Sequence, residues 1–228
     1  MSVTKNTTFA FGVQFQNVGE TKVICVNDIF TIDVPKPGNS FAATVDRMQI
    51  WSSAQKKFIN YHLQGTTGNI IGWIRSDATD KTKPTTDTVC VGDGVYFLRP
   101  GSANAKLTIS GEVALDKPYV EVPVTKNTTK CMTYPFPIDI KIDDLRKYID
   151  VEKKGNGFAA TVDRIQKWNS TQKKYVNYYD QTGVGWVASD QEDKTVPTED
   201  KILAGESFMF LRPGSANATF KFTKSEGL

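Results

Sequence analysis

The stretch FAATVDRMQIWSSAQKKFINYH, Phe41 to His62, returns later in the chain as FAATVDRIQKWNSTQKKYVNYY, Phe158 to Tyr179. Most letters are unchanged, and most of the others are exchanged for residues of like kind. The repetition extends outward in both directions. VTKNTT starts at Val3 and Val124, GW at Gly72 and Gly185, DKT-x-PT at Asp80 and Asp193, and FLRPGSANA at Phe97 and Phe210. The spacing between copies shortens twice, ahead of the FAATVDR segment and again ahead of GW, as expected when core strands are kept and connections vary. A unit of roughly 110 residues is too long for a solenoid repeat of about 20 to 50 and is the size of a domain. The 228-residue chain is therefore read as two tandem domains, residues 1–117 and 118–228. Their joint falls in LDKPYVEVP, where Lys117 and Pro118 interrupt the pattern.

Each copy has the texture of strands. RIQKW and KKYVNYY are aromatic and β-branched runs separated by the polar NSTQ, which predicts a hairpin, and GVGWVAS after DQTG extends it to a meander. ESFMFLRPGSANATFKFTK holds two alternating runs joined through Pro213-Gly214, a pair suited to the central positions of a type II turn. GVYFLRPGSANAKLTIS repeats that arrangement in the first copy. One stretch, Asp143 to Ile149, reads as a short turn of helix capped by Asp143, and its counterpart NDIFTI is a poorer helix former. The expected fold is all-β: two tandem homologous antiparallel β-sandwich or open-barrel domains with little helix.

With 39% hydrophobic and 23% charged residues the composition is that of an ordinary folded protein. The 28 basic and 25 acidic residues are dispersed, without the Lys/Arg stripe that phosphate neutralisation requires, so no nucleic-acid partner is expected. No run approaches the ~20 apolar residues of a membrane span. The opening MSVTKNTTFAFGVQF lacks a basic segment followed by an apolar one, so no signal peptide is visible.

Duplication lets one copy test the other. His62, the single histidine, aligns with Tyr179, which argues against a general base there. Cys90 aligns with Leu203 between apolar neighbours and reads as a small core residue. Cys25 and Cys131 read as free thiols, with pairing across the domains or between subunits left open, and no CxxC metal knuckle occurs. The loops SDATDKTKPTTD and SDQEDKTVPTED offer Asp77, Asp80, Asp190 and Asp193 as weak Ca²⁺ candidates, but lack the EF-hand glycine and glutamate, so a solvated turn is preferred. Asp46-Arg47 and Asp163-Arg164 read as ion pairs or as aspartates bonded to backbone, since neither copy shows a second carboxylate for hydrolytic chemistry. No GxSxG, HExxH, GxGxxG or P-loop is present, so no catalytic residue and no cofactor is assigned.

Aromatic residues remain. Trp51, Tyr61 and Trp73 recur as Trp168, Tyr178 and Trp186. On an exposed sheet face they would form a platform for sugar rings, and at alternating inward positions they would fill a core. Asn6, Asn127, Asn169 and Asn217 each begin an Asn-x-Ser/Thr sequon, which matters only where secreted proteins are glycosylated.

The segments DRIQKWNSTQKKYVNYYDQTGVGWV and ILAGESFMFLRPGSANATF, with Leu203, Gly205, Phe208, Phe210 and Arg212, resemble uncharacterised secreted β-repeat proteins of bacteria. Cys90, Gly92, Val95, Phe97 and Arg99 hold the matching positions in the first copy. The resemblance implies an extracellular or cell-surface location and a structural role, and brings no activity with it. The expected function is thus a non-enzymatic structural or surface protein that self-associates into a filament or layer. Contacts would run through domain faces or through SVTKNTTFAFGVQF added to a neighbour's sheet. The alternative is a carbohydrate-binding protein with one aromatic site per domain, gaining avidity from the duplication.

Overall fold

The computed structural model describes the chain apart from residues 1, 4–6, 14, 17–22, 53, 102–103, 110–111, 114–118, 170–171, 173, 215 and 224–228. The protein is all-β. Its antiparallel sheets fall in two groups, one drawn from residues 2–113 and one from residues 119–223, and no sheet among the described residues closes into a barrel. The expected joint at residues 117 and 118 lies outside the described residues.

Each group is built on a five-stranded sheet with the same strand order. The first runs Thr7–Gly12, Gly94–Arg99, Arg47–Ser52, Lys57–Thr66, Asn69–Arg75. The second runs Thr128–Thr133, Ser207–Arg212, Arg164–Asn169, Lys174–Gln181, Gly185–Ala188. The last three strands of each are the predicted meander, in matching register: Trp51 lies opposite Phe58 as Trp168 lies opposite Tyr175. Smaller sheets form the facing layer, Ala105–Thr108 with Ser2–Val3 and Thr31–Ile32 in one copy, Ala218–Thr223 with Tyr119–Val124 in the other. The Pro-Gly turn carries the chain from one layer to the other, with Gly101 and Gly214 at φ 65° and 75°, where a side chain would be strained.

Alternation decides what each strand buries. In Gly94–Arg99 the side chains of Val95 and Phe97 enter a core with Phe11, Phe30 and Trp73, and in Ser207–Arg212 those of Phe208 and Phe210 meet Phe220, Phe222 and Trp186. The rings pack edge to face, Phe30 on Phe97 at 5.5 Å and Phe210 on Phe220 at 4.9 Å between centroids. Each buried phenylalanine contributes about 1.5–3 kcal/mol by leaving water.

Helical structure among the described residues is limited to two 3-10 turns, Val26–Asp28 and Asp143–Lys147. Asp143 does not cap its own turn as the sequence suggests. Its Oδ1 accepts the Trp186 backbone N–H at 2.9 Å, tying the turn to the last strand of the sheet, and Asn27 does the same for Trp73 at 2.7 Å.

The two copies meet about a local pseudo-twofold. Gly12 N–H donates to the Gly205 carbonyl at 2.9 Å, and in the reciprocal position Thr133 N–H donates to the Gly92 carbonyl, also at 2.9 Å. Bridges between Phe11 and Glu206 and between Asp93 and Met132 repeat the reciprocity. Side chains break the symmetry. A Cβ on Gly12 would lie 2.0 Å from that of Thr133, and one on Gly94 would lie 2.3 Å from Cys131 Sγ, so glycines of the first copy receive side chains of the second. Around them Tyr96, Leu98, Trp51 and Phe58 pack with Cys131, Met209 and Leu211. The described strands of the N-terminal stretch pair within their own copy. Ser2–Val3 pairs with Ala105 and Lys106, and all six residues of Thr7–Gly12 pair with Gly94–Arg99.

Candidate functional site

The six aromatic residues singled out in the sequence do not form a common face. Strand alternation sends Tyr61 and Trp73, and likewise Tyr178 and Trp186, into the two cores, with Trp73 only 3% exposed and Trp186 only 1%. They cannot stack on a ligand. Each tyrosine instead donates its hydroxyl to a carboxylate, Tyr61 to Asp87 and Tyr178 to Asp200, both at 2.7 Å. Burial together with that neighbouring carboxylate pushes both phenols above their ordinary range. Trp51 and Trp168 lie on the opposite face of their sheets, and here the copies part company. Trp51 packs edge to face on Phe58, which packs on Tyr96 within the contact between copies. Trp168 packs on Tyr175 at 5.2 Å, and Tyr175 is exposed.

On the other face of these strands from the Trp168 and Tyr175 rings is a groove of about 180 Å³, lined by Lys167, Val176, Tyr178, Asp200, Leu203 and Glu206, with Trp168 and Asn169 at its margin. Its lining is mixed, with charged Lys167, Asp200 and Glu206 beside apolar Val176, and Leu203 is 53% exposed. Lys167 Nζ donates to the Lys201 carbonyl at 2.5 Å and approaches Glu206 at 3.3 Å. Glu206 also accepts the Leu203 N–H at 3.0 Å, and burial pushes its carboxyl above the usual range. In the first copy Ile50 stands where Lys167 does, Cys90 where Leu203 does, and Asp93 where Glu206 does. Asp93 accepts the Cys90 N–H at 2.9 Å, as Glu206 accepts that of Leu203, but its ion pair is with Lys130 of the other copy at 3.1 Å. Lys167 and Glu206 escape a search for residues shared by both copies, because the signal is the difference between the copies.

The two most faithfully repeated motifs turn out to be halves of one structure. Asp46 of TVDR takes Arg99 of FLRPGSANA through Nη1 at 2.7 and 2.9 Å, and Asp163 takes Arg212 at 2.7 Å, with all four side chains essentially inaccessible. The backbone N–H groups of Lys36 and Lys153 complete the sites at 2.7 and 2.8 Å. Burial raises both carboxyls, and the backbone amide and guanidinium pull them back part of the way. The adjacent Arg47 and Arg164 lie over the rings of Phe41 and Phe158, each at 5.2 Å.

The acidic loops serve the sheet edge. Asp80 and Asp193 each accept the N–H and hydroxyl of the threonine two residues on, Thr82 and Thr195, closing a side-chain turn. Asp77 pairs with Arg75 and Asp190 with Lys174. These four aspartates do not converge, and among the described residues no group of three His, Cys, Asp or Glu is placed to hold a metal ion. What the loops do is cap the last strand of each sheet. Thr85 N–H donates to the Trp73 carbonyl and Thr198 N–H to that of Trp186, while Lys81 and Lys194 donate to the carbonyls of Ser76 and Ala188. Edge groups that would invite another strand are thereby occupied.

His62 is buried, bonds through Nε2 to Gln64 Oε1 at 2.7 Å, and is held below the usual imidazole range by burial. Tyr179 reaches Gln181 Oε1 at 2.8 Å from the equivalent position, so the two residues do the same structural task. All three cysteines are free. Cys131 is buried in the contact between copies, but Cys90 is exposed and not a core residue, because alternation along Thr88–Cys90 turns Val89 inward instead.

No protein-family model, curated protein or solved structure matches this chain.

Proposed function

We propose that this is a non-enzymatic binding protein, a fused pair of β-domains in which the Trp168–Tyr175 aromatic pair accepts a ring of a carbohydrate. The observation that carries the reading is the divergence at the paired tryptophans. Trp51 is half-buried against Phe58 and the Tyr96 cluster, whereas Trp168 is half-buried against the exposed Tyr175, with the amide of Asn169 next to it in sequence. An apolar ring face with a polar group nearby is the composition expected of a small-molecule site. The buried Asp46–Arg99 and Asp163–Arg212 pairs support a non-catalytic role, since each carboxylate is committed to a guanidinium and a backbone amide of its own copy. An extracellular or cell-surface setting, where such a ligand is met, accords with the resemblance of the repeat motifs.

The test is a glycan array followed by calorimetry on hits, with W168A and W51A in parallel. A bound glycan whose affinity falls about tenfold or more in W168A, corresponding to roughly 1.4 kcal/mol, and is unchanged in W51A is the expected result. Silence across the array, or equal binding by W168A, refutes the assignment.

Self-association as a structural subunit is favoured by one feature. The hairpin of Lys57–Thr66 and Asn69–Arg75 projects further than its counterpart Lys174–Gln181 and Gly185–Ala188, and carries exposed Ile70 and Ile71 near its tip. Light scattering with negative-stain microscopy over a concentration series decides it, and a monomer at every concentration rules it out.

A further inference from the structure

Four positions that are apolar in the first copy are charged in the second, and they lie together. Arg146 follows Leu145 as Phe30 follows Ile29, while Glu152, Lys154 and Asp180 take the places of Pro35, Pro37 and Leu63. Phe30 and Leu63 belong to the first core. Asp180 is equally enclosed, at 1% exposure, and neither of its carboxyl oxygens has a hydrogen-bond partner. Arg146 Nε stands 3.7 Å from Asp180 but only 3.2 Å from Glu152, and Nη1 lies 4.0 Å from Asp143. Lys154 pairs with Glu152 as well. The cation nearest Asp180 is therefore shared among carboxylates. A further one, Asp163, is tied by its carbonyl to the Asp180 N–H at 3.3 Å and is itself held by Arg212.

An enclosed carboxylate with no hydrogen bond is costly in its charged form, and a neutral carboxyl in the same place costs much less. Nothing in the duplicated fold demands the charge, since the first copy meets the same need with Phe30 and Leu63.

We propose that the Arg146–Glu152–Lys154–Asp180 cluster makes the second domain a proton-responsive unit, in which Asp180 takes up a proton in mild acid, leaves Arg146 to Glu152, and tightens the domain. Burial and the nearby Glu152 charge push the Asp180 carboxyl up to about 6, in keeping with that geometry. A carboxyl whose folded pKa lies above its unfolded value binds its proton more tightly when folded, so stability falls as pH rises through the folded value and is regained on acidification. In the first domain the copy-specific buried group is His62, whose lowered pKa works in the opposite direction, with stability lost as pH falls. This inference does not depend on carbohydrate binding.

Carboxyl-carbon NMR of the full-length protein, with D180N to assign the resonance, reads the group directly. A midpoint for Asp180 about two pH units above that of an ordinary aspartate is expected, and a midpoint near 4 overturns the proposal. Thermal unfolding between pH 7 and pH 5 reads the consequence. The wild type gains midpoint temperature on acidification, and D180N, and R146F/D180L where it folds, gain less. If D180N tracks the wild type across that range, Asp180 is not the sensor.

Discussion

Replacing Arg212 by methionine, which keeps the length of the side chain and removes its charge, leaves Asp163 in a site where both side chains are almost wholly inaccessible. Three bonds disappear at once: Nη1 to Asp163 at 2.7 Å, Nη1 to the Val151 carbonyl at 2.6 Å and Nε to the Ala216 carbonyl at 3.1 Å. Only the Lys153 amide continues to bond the carboxylate. Removing one member of a buried pair costs about 3–5 kcal/mol, most of it the penalty of the charge left behind. Against a typical total of about 5–15 kcal/mol, this is enough to bring domain 2 close to unfolding. Burial already pushes Asp163 up to about 6. Without the guanidinium its folded pKa rises further, so protonation relieves the penalty, and the loss shrinks as pH falls from 7 toward 5. Urea unfolding at several pH values, with R212M, D163N and the double variant, measures the cost and the coupling. The double variant is expected to be more stable than R212M at pH 7. A loss under about 1 kcal/mol, of the size of an exposed pair, or a loss independent of pH, refutes the reasoning.

Gly12→Thr places a Cβ into the space of the Thr133 side chain and is expected to cost about 1–3 kcal/mol by overpacking and to loosen the contact between copies. Faster amide exchange at the reciprocal bonds of residues 12 and 133 in the variant checks this. Among the thiols, Cys90 reacts with an aromatic disulfide reagent in the native protein. Cys131, buried and pushed up to about 12, reacts only on unfolding, and mass mapping of the labelled sites distinguishes them.

Strands, turns and duplication were legible in the sequence because they are local or self-referential. Alternation in RIQKW and FMFLR, the Pro-Gly turn and the recurrence of FAATVDR each depend on a handful of neighbouring residues. The edge-capping role of the acidic loops was half legible: Asp80 and Asp193 form the turns their sequence favours, but the carbonyls beneath them belong to strands that only the sheet order brings close. Alternation also identifies two faces without telling which one is the core. Here each five-stranded sheet is covered on both sides, by the facing layer on one and by the other copy or the FAATVDR segment on the other. Apolar residues therefore occupy both phases of the same strand. Hence Tyr61 and Trp73 could not be separated from Trp51 by pattern, although they point to opposite faces.

The sequence by itself determined the two-copy, all-β architecture, because β-period and repetition are properties of the chain. The tertiary structure decided which residues meet: Asp163 with Arg212 across 49 positions, Gly12 against Thr133, and Arg146 shared by Glu152 and Asp180. Those meetings depend on how two layers and two domains close on one another in space, a long-range condition that no spacing along the chain expresses.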